Sequence, residues 1–240
     1  MIVDTHCHLL PGVDDGPRNI ARSLELAREL RDCGVRAVVC TPHYSRQFPV
    51  TREAAQAAAR SLRSALAAES IPLTLGVAAE VSPTLAVSAS LDELEQRSIS
   101  GYVVVEVLAD TPVPFLATVT ERLAERALRP VVAHPELARS VERHPEALDD
   151  VRAAGGLVQV LAAGVVGYWG ERVASFAWEL IESGRADLLG SDAHGRRRPA
   201  AYFARARKTV GERLGAGVAH NLTEKAPAQL LVGVGADSWA

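Results

Sequence analysis

Seven short apolar runs alternate with longer segments of helical spacing, and this alternation constrains the fold more than any other feature of the chain. The runs lie at 2–5, 37–41, 73–79, 102–107, 130–133, 157–161 and 187–190. Strands that alternate with helices are typical of βα units around a parallel sheet or barrel. The sequence therefore predicts an α/β fold with seven parallel strands.

The segments between the runs carry the periodicity of helices. Ile20, Leu24, Ala27 and Leu30 recur on one face of a first helix, which we expect to end before Gly34. Further helices are predicted at 52–68, 115–127, 145–154, 173–183, 200–214 and 226–231. No linker or repeat interrupts this order, so residues 1–240 are predicted to form a single domain.

The composition excludes several classes of protein. With 26 basic and 29 acidic side chains the formal net charge is -3, so we expect no nucleic-acid partner. No apolar stretch approaches the roughly 20 residues that span a bilayer, and the start MIVDTHCHLLPG does not resemble a secretory signal. We therefore expect a cytoplasmic protein without membrane insertion, with Cys7, Cys33 and Cys40 reduced.

Side chains with metal-binding chemistry gather at the carboxyl ends of six of the seven predicted strands. The candidate ligands are His6, His8, Asp15, His43, Glu80, Glu106, His134, Asp192 and His194. In parallel barrels these strand ends converge on one site. His6 and His8 are two residues apart on a strand, so we expect both to face that site while Cys7 faces away.

A metal centre explains this pattern better than separate structural roles do. A single histidine or glutamate at a strand end is usually a hydrogen-bonded polar group. Glu80 and Glu106, however, end apolar strands, where an unpaired carboxylate is costly unless a cation compensates it. Nitrogen and oxygen donors suit Mn, Fe, Zn or Mg, and nine candidate ligands exceed the about four to six of one ion. Two or three divalent ions are predicted.

Such a centre is suited to the hydrolysis of a phosphoester. The ions take up charge on the phosphoryl oxygens and make hydroxide available near neutral pH. Arg196, Arg197 and Arg198 follow His194 directly, and an arginine at the same mouth can hold a phosphate with its bidentate fork. Their alternative role is that of a solvated basic loop. Cys40 has an arginine six residues later, Arg46, whereas Cys7 and Cys33 have none; a cysteine nucleophile is still not expected, because the candidate metal ligands account for the phosphoester chemistry.

Six motifs together resemble a known superfamily. They are H-C-H-L-L-P-G-V-D-D-G at 6–16, T-P-H-Y at 41–44, A-A-E-V around Glu80, V-E-V around Glu106, A-H-P-E at 133–136 and S-D-A-H at 191–194. The set is similar to the polymerase and histidinol phosphatase (PHP) superfamily, and within it to bacterial protein-tyrosine phosphatases of the CpsB/YwqE/CapC type. The resemblance implies a distorted (β/α)7 TIM-like barrel of the PHP fold with three ions, often manganese. It also implies hydrolysis of phosphotyrosine on the bacterial tyrosine kinases, or their C-terminal tails, that govern capsule or exopolysaccharide export.

The resemblance also implies how the ligands are grouped. One ion would be held by His6, His8, Glu80 and Asp192, a second by Glu80 with Glu106 and His134, and a third by Asp15, His43 and His194. Asp14 would be a neighbour of the site, because the ligand of the family directly precedes the glycine. The proton for the leaving tyrosine would come from Asp15, Asp192 or His194.

One departure from the family pattern concerns the phosphate. The family commonly continues A-H-P-E with an arginine that contacts the phosphate, whereas this chain has Leu137. Arg139 or one of Arg196, Arg197 and Arg198 would then supply the contact. Two alternatives to a tyrosine phosphatase therefore stay open: a small-molecule phosphatase of the histidinol-phosphatase kind, and a metal-stabilised docking module without catalytic activity.

Overall fold

Parallel strands form the centre of the computed structural model, which describes residues 1–196 and 198–231. Within these residues there are nine strands: β1 (Ile2–Cys7), β2 (Val35–Cys40), β3 (His43–Tyr44), β4 (Thr74–Val77), β5 (Glu80–Val81), β6 (Tyr102–Glu106), β7 (Arg129–Ala133), β8 (Leu157–Leu161) and β9 (Leu188–Gly190). All seven predicted apolar runs contain a strand. The predicted α/β fold with parallel strands is confirmed.

The strands belong to two parallel sheets. Two segments of the chain, one with β2 and β3 and the other with β4 and β5, each supply one strand to each sheet. One sheet has the order β1-β2-β4, and the other has the order β3-β5-β6-β7-β8-β9. β3 follows β2 after only two residues, and β5 follows β4 after two. Pairing continues across both breaks, because Ala78 N donates to the carbonyl of Cys40 and Glu80 N donates to the carbonyl of Pro42. Pro42 has no N–H of its own, which interrupts the regular ladder.

The first strand is also bonded to the segment that follows the last strand. Asp192 N donates to the carbonyl of His6 at 2.8 Å, and His8 N donates to the carbonyl of Ala193 at 3.1 Å. Cys7 and Ala193 form a parallel bridge. Since every strand pair is parallel, the carboxyl ends of the strands lie at one end of the sheets.

Helices connect the strands and cover them. In the described part of the chain they are α1 (Ile20–Asp32), α2 (Arg52–Ala68), α3 (Pro83–Ser88), α4 (Leu91–Glu95), α5 (Val113–Ala124), α6 (Arg139–Arg143), α7 (Ala147–Ala153), α8 (Ala162–Val165), α9 (Glu171–Glu182), α10 (Ala201–Leu214), α11 (Ala216–His220) and α12 (Ala226–Leu230). The seven predicted helices correspond to α1, α2, α5, α7, α9, α10 and α12. None of the described helices has the length and apolar character needed to cross a membrane.

Local sequence explains where the longer helices begin and which side they bury. The side chain of Asn19 accepts a hydrogen bond from Arg22 N at the start of α1, and that of Thr51 accepts one from Ala54 N at the start of α2. Gly34 adopts φ +87 directly after α1, as expected of a glycine that ends a helix. The predicted helix 115–127 ends earlier than expected, because Ala127 has a positive φ.

Candidate metal centre

Two histidines at the carboxyl end of β1, His6 within the strand and His8 directly after it, form the centre of the site with two carboxylates from other strand ends. His8 Nε2 lies 3.2 Å from Glu80 Oε2 and 3.3 Å from Asp192 Oδ1. The corresponding distances from His6 Nε2 are 3.4 and 3.6 Å. Both histidines face the cluster, while Cys7 between them packs in the hydrophobic core, as the alternation of a strand predicts. All three cysteines are free.

A neutral side chain from β8 reaches past Gly190 of β9 and orients His6. Gln159 Oε1 accepts a hydrogen bond from His6 Nδ1 at 2.8 Å, and Gln159 Nε2 donates to Thr5 Oγ1 at 2.7 Å. This bond places the ring proton on Nδ1 and leaves Nε2 with a free lone pair. Gly190 makes the arrangement possible, because a Cβ at that position would lie 2.9 Å from the Cβ of His6.

A carboxylate orients His8 in the same way. Asp14 Oδ2 lies 2.7 Å from His8 Nδ1, and it also accepts a hydrogen bond from His43 N. Asp14 Oδ1 accepts from Gly16 N, which closes the loop that carries Asp15. Asp14 is thus a neighbour that holds the site together, while Asp15 extends toward the histidines.

The remaining two buried histidines are fixed by backbone carbonyls. His134 Nδ1 donates to the carbonyl of Val107 at 3.2 Å, and its Nε2 lies 2.7 Å from Glu80 Oε1. His194 Nδ1 donates to the carbonyl of Asp192 at 2.9 Å, and its Nε2 lies 3.1 Å from Asp15 Oδ1. A carbonyl or carboxylate on one ring nitrogen, with the other aimed at the site, is the arrangement of metal-binding histidines.

Three overlapping groups of ligand atoms each lie within 4.8 Å of one another. They consist of His8, Asp15, His43 and His194; of His6, His8 and Glu80; and of His43, Glu80 and Glu106. The first two resemble the third and first ions of the expected grouping. In the third group His43 stands where His134 was expected, because His43 Nδ1 lies 3.0 Å from Glu80 Oε2. Seven of the nine candidate ligands fall in these groups, and His8, His43 and Glu80 are each shared by two of them. His134 and Asp192 join the cluster through their contacts with Glu80 and His8.

Two site residues have a strained backbone. His134 has φ 45 and Asp192 has φ 49, although neither is a glycine. Such conformations cost about 1–3 kcal/mol each and persist only where other contacts fix them. Here His134 N donates to the carbonyl of Gln159, and Asp192 N donates to the carbonyl of His6. Each strained residue directs its side chain into the cluster.

The pKa values of the site residues are shifted by burial and by the contacts between carboxylates and imidazoles. Burial lowers the pKa of His134, but its hydrogen bond with Glu80 outweighs burial and raises that pKa to about 9. Burial also lowers the pKa of His8, yet the contact with Asp14 brings it well above its usual value. Burial raises the pKa of Glu80, but the nearby imidazoles, that of His6 first, hold it well below its usual range. A charged carboxylate is thus surrounded by imidazoles that hold protons.

Buried atoms without hydrogen bonds test whether these residues fit a metal. Within the described residues, His6 Nε2, His8 Nε2 and Glu80 Oε2 are buried and make no hydrogen bond. Leaving buried polar atoms unsatisfied is costly, and such atoms call for a ligand. All three converge on one point, and imidazole nitrogen with carboxylate oxygen is a donor set for divalent ions such as Mn, Fe or Zn. The residues fit a metal.

The predicted arginines lie at different distances from this centre. Arg198 Nη1 contacts Asp192 Oδ2, and Arg198 Nη2 donates to His194 Nε2 at 2.8 Å. Arg196 lines a separate cavity beside Asp15. Arg139 is exposed at the start of α6 and lies outside the residues that line the site. Arg197 lies outside the described residues. Arg198 is therefore the predicted arginine with direct contact to the cluster.

A cavity of about 550 Å³ opens over the cluster. Its lining combines ligands with residues that the sequence analysis did not single out: Val107, Leu108, Ala109, Tyr168, Trp169, Arg172 and Val173. Arg172 Nη1 donates to Glu142 Oε2 at 2.7 Å and Nη2 donates to the carbonyl of Leu137 at 3.3 Å. An arginine thus lies beside the position where the family pattern has its own.

The glutamate of A-H-P-E has a structural contact away from the cavity. Glu136 Oε1 accepts a hydrogen bond from Leu161 N at 2.7 Å, where β8 ends. Burial raises the pKa of Glu136 to about 7. A Cβ at Gly164 would lie 2.9 Å from Glu136 Oε1, so this glycine leaves room for the carboxyl group. Glu136 therefore links the segment after β7 to the end of β8.

Known proteins similar to this chain share its length and fold. The tyrosine-protein phosphatase YwqE of Bacillus subtilis (strain 168) is 28% identical over 228 residues, which cover 94% of this chain and 90% of YwqE. The tyrosine-protein phosphatase CpsB of Streptococcus pneumoniae is 24% identical over 242 residues, which cover 96% of this chain and 98% of CpsB.

A solved structure and a family model agree with these relatives. The crystal structure is described as that of YwqE and CpsB, "unique metal-dependent tyrosine phosphatases"; it has a TM-score of 0.86 at 27% identity and covers 96% of this chain and 94% of its own. Residues 2–232 match the family model described as "Capsular polysaccharide synthesis, CpsB/CapC". Since that model spans nearly the whole sequence, the family expected from the motifs is confirmed, and the chain belongs to the CpsB/CapC family.

Proposed function

We propose that this chain is a metal-dependent phosphomonoesterase that hydrolyses phosphotyrosine on protein tails. The observation that carries the proposal is the convergence of His6 Nε2, His8 Nε2 and Glu80 Oε2, buried without hydrogen bonds, beneath a cavity that reaches the surface. Membership in a family whose relatives are named tyrosine-protein phosphatases supports the choice of substrate. We infer that the substrate tail belongs to a tyrosine kinase of capsule or exopolysaccharide synthesis.

The nine ligands are proposed to hold two or three divalent ions, with manganese favoured. Their grouping follows the three clusters of ligand atoms. Bound ions supply positive charge to the phosphoryl oxygens and activate a water for attack on phosphorus. The protein contributes the fixed geometry, because Gln159 and Asp14 set the rings of His6 and His8 before any ion binds.

The phosphate contact is assigned to Arg198. Its guanidinium touches Asp192 and His194, so it lies at the edge of the cluster where a phosphoryl group would rest. A planar fork of this kind stabilises the equatorial oxygens as charge shifts toward them in the transition state. The phosphate contact predicted for Arg139 stays a prediction, since its side chain is exposed and does not line the cavity.

The proton for the leaving phenolate is assigned to Asp15. Its carboxyl group is the most exposed of the three candidate acids and lines the cavity, whereas His194 Nε2 already accepts a hydrogen bond from Arg198. Asp192 is less suited to this role, because its carboxylate is buried against His6, His8 and Arg198. Tyrosine has a pKa of about 10, so this assistance accelerates the reaction without being obligatory.

We further propose that the strands close into the distorted (β/α)7 TIM-like barrel of the PHP fold. Support comes from the two segments, β2 with β3 and β4 with β5, that supply a strand to each sheet, and from the bridge between Cys7 and Ala193. Counting β2 with β3 and β4 with β5 as one strand each leaves seven strands in the described residues. The cytoplasmic location and the single-domain organisation stay predictions.

The test compares substrates on one preparation of the full chain loaded with manganese. Hydrolysis of a phosphotyrosine peptide, stimulated by manganese and faster than that of histidinol phosphate, is the expected result. A preference for histidinol phosphate would contradict the proposal in favour of a small-molecule phosphatase. Bound metal without turnover of either substrate would favour the docking module.

A further inference from the structure

A short turn between two glycines exposes a pair of aromatic rings beside the cavity. Gly167 and Gly170 have φ +81 and +91, a conformation that side chains rarely adopt. Between them Tyr168 and Trp169 are 47% and 42% exposed, and their rings meet edge to face with centroids 4.9 Å apart. The ring of Tyr168 also lies 5.3 Å from that of Tyr202 on α10, which holds the turn in place.

These rings and one leucine form an apolar rim, defined here as Leu108, Tyr168 and Trp169. Leu108 is 43% exposed, and all three line the cavity above the ligand cluster. Among the described residues only two other large apolar side chains are exposed to a similar degree, Met1 and Val87, and neither lines this cavity. The exposed apolar surface of the described chain is thus concentrated at the mouth of the site.

The lining of the cavity consequently combines two chemically different sets of side chains. One set consists of the candidate ligands and Arg198, which suit a phosphoryl dianion. The other includes the apolar rim, whose aromatic rings favour contact with another ring edge to face or offset. A ligand that satisfies both sets has an anionic head and an aromatic body directly attached to it.

We propose that the apolar rim packs against the phenyl ring of a phosphotyrosyl substrate and thereby selects aryl over alkyl phosphate esters. The inference rests on the proposed function and deepens it, since it assigns specificity to residues that hold neither metal nor phosphate. Trp169 is the main contact, because the ring of Tyr168 packs against two other rings, those of Trp169 and Tyr202, while within the described residues the indole packs against the ring of Tyr168 alone.

The experiment measures binding of two phosphonates by calorimetry to the manganese-loaded full chain. Phenylphosphonate and methylphosphonate share the anionic head and differ only in the ring. The wild type is expected to bind phenylphosphonate more tightly. Trp169→Ala is expected to reduce this preference by about 5- to 20-fold and to leave methylphosphonate binding unchanged. Trp169→Phe keeps a ring at the position and should retain most of the preference.

Val87→Ala serves as the matched control, because it removes an equally exposed apolar side chain away from the cavity. The inference is overturned if the wild type shows no preference for phenylphosphonate, or if Trp169→Ala weakens both ligands equally. It is also overturned if the variant weakens only a phosphotyrosine peptide, because the rim would then contact the flanking residues. Preference for phenylphosphonate without any turnover of the peptide would refute the proposed function and leave the rim assignment intact.

Discussion

At the scale of single residues, the site depends on neutral and charged neighbours that fix the histidine rings. Gln159 is the clearest case, since its amide on β8 bonds to both His6 and Thr5 of β1. Without its oxygen, His6 Nδ1 loses its acceptor and the ring can turn away from the cluster. Loss of a hydrogen bond of this kind typically lowers metal affinity by about 10- to 100-fold.

We therefore predict that Gln159→Ala weakens manganese binding by about 10- to 100-fold while the chain still folds. A titration of the metal-free protein with manganese measures the change, and circular dichroism checks the fold. Gln96→Ala, which alters an exposed glutamine after α4, is the control. Equal manganese affinities of Gln159→Ala and the wild type would contradict the orienting role of Gln159.

Metal binding is predicted to release protons near neutral pH. In the metal-free chain the pKa values of His8, His43 and His134 lie above their usual value, that of His134 at about 9, so protons stay on these rings to a higher pH than on a free imidazole. A metal binds neutral imidazole, so the protons must leave, and the affinity should rise with pH until about 9. Calorimetry in two buffers of different ionisation enthalpy measures the release. Heats that do not depend on the buffer would contradict the protonation of the cluster.

The assignment of the phosphate contact predicts different effects for two arginines. Arg198→Gln should lower kcat/KM for a phosphotyrosine peptide by about 10- to 100-fold, because a charged hydrogen bond to the phosphoryl group is lost. Arg139→Gln should change it by less than about twofold, because the side chain is exposed outside the cavity. Metal content must be measured for both variants, since Arg198 also touches Asp192. The reverse order of effects would reassign the contact to Arg139.

The sequence indicated the candidate ligands but not the residues that orient them. All nine candidates lie at or after the carboxyl ends of predicted strands and have metal-binding chemistry, so position and residue type together were enough to propose them. Gln159 lies inside an apolar strand and has no metal chemistry of its own. Its role depends on the pairing of Gln159 with Ala133 of β7 and on its contact with His6. Both are seen only in the three-dimensional structure.

At the scale of secondary structure elements, glycines determine how closely the loops approach the cluster. A Cβ at Gly16 would lie 2.5 Å from the carbonyl oxygen of His8, so the loop that carries Asp14 and Asp15 would have to move. Gly16→Ala is therefore predicted to destabilise the fold by about 1–3 kcal/mol. The expected fall in melting temperature is about 2–12 °C.

A thermal melt of Gly16→Ala against Gly217→Ala tests this prediction. Gly217 lies in α11 and a Cβ there meets nothing within 4 Å, so that substitution should be neutral or slightly stabilising. A melting temperature of Gly16→Ala at or above that of the wild type would show that the loop tolerates the added carbon, and the close approach at Gly16 would not matter.

Elements with a long periodic pattern were predicted, whereas most of the shortest helices were not, with the five-residue α12 as the exception. The seven strand runs and helices such as α1, α2 and α10 bury enough of one face to give a clear repeat. α3, α4, α6, α8 and α11 contain four to six residues each, which is too few for a helical period to be recognised. The two-residue strands β3 and β5 exist only because their neighbours continue the pairing.

At the scale of the whole molecule, parallel strands bring widely separated parts of the sequence to one end of the fold. Five of the seven histidines of the chain meet in the cluster, from His6 near the start to His194 late in the sequence. The other two, His144 and His220, are exposed. Bound ions would therefore link distant segments, so metal affinity should contribute to the stability of the entire fold.

The most direct test of a metal-dependent phosphatase is one measurement on the double variant His6→Ala, His8→Ala. Metal content by mass spectrometry and turnover of a phosphotyrosine peptide are determined on the same preparation, with His144→Ala, His220→Ala as the matched control. We predict that the site variant loses bound metal and turnover and melts about 5–11 °C lower in manganese, while the control behaves as the wild type. Unchanged turnover in the site variant would contradict the account.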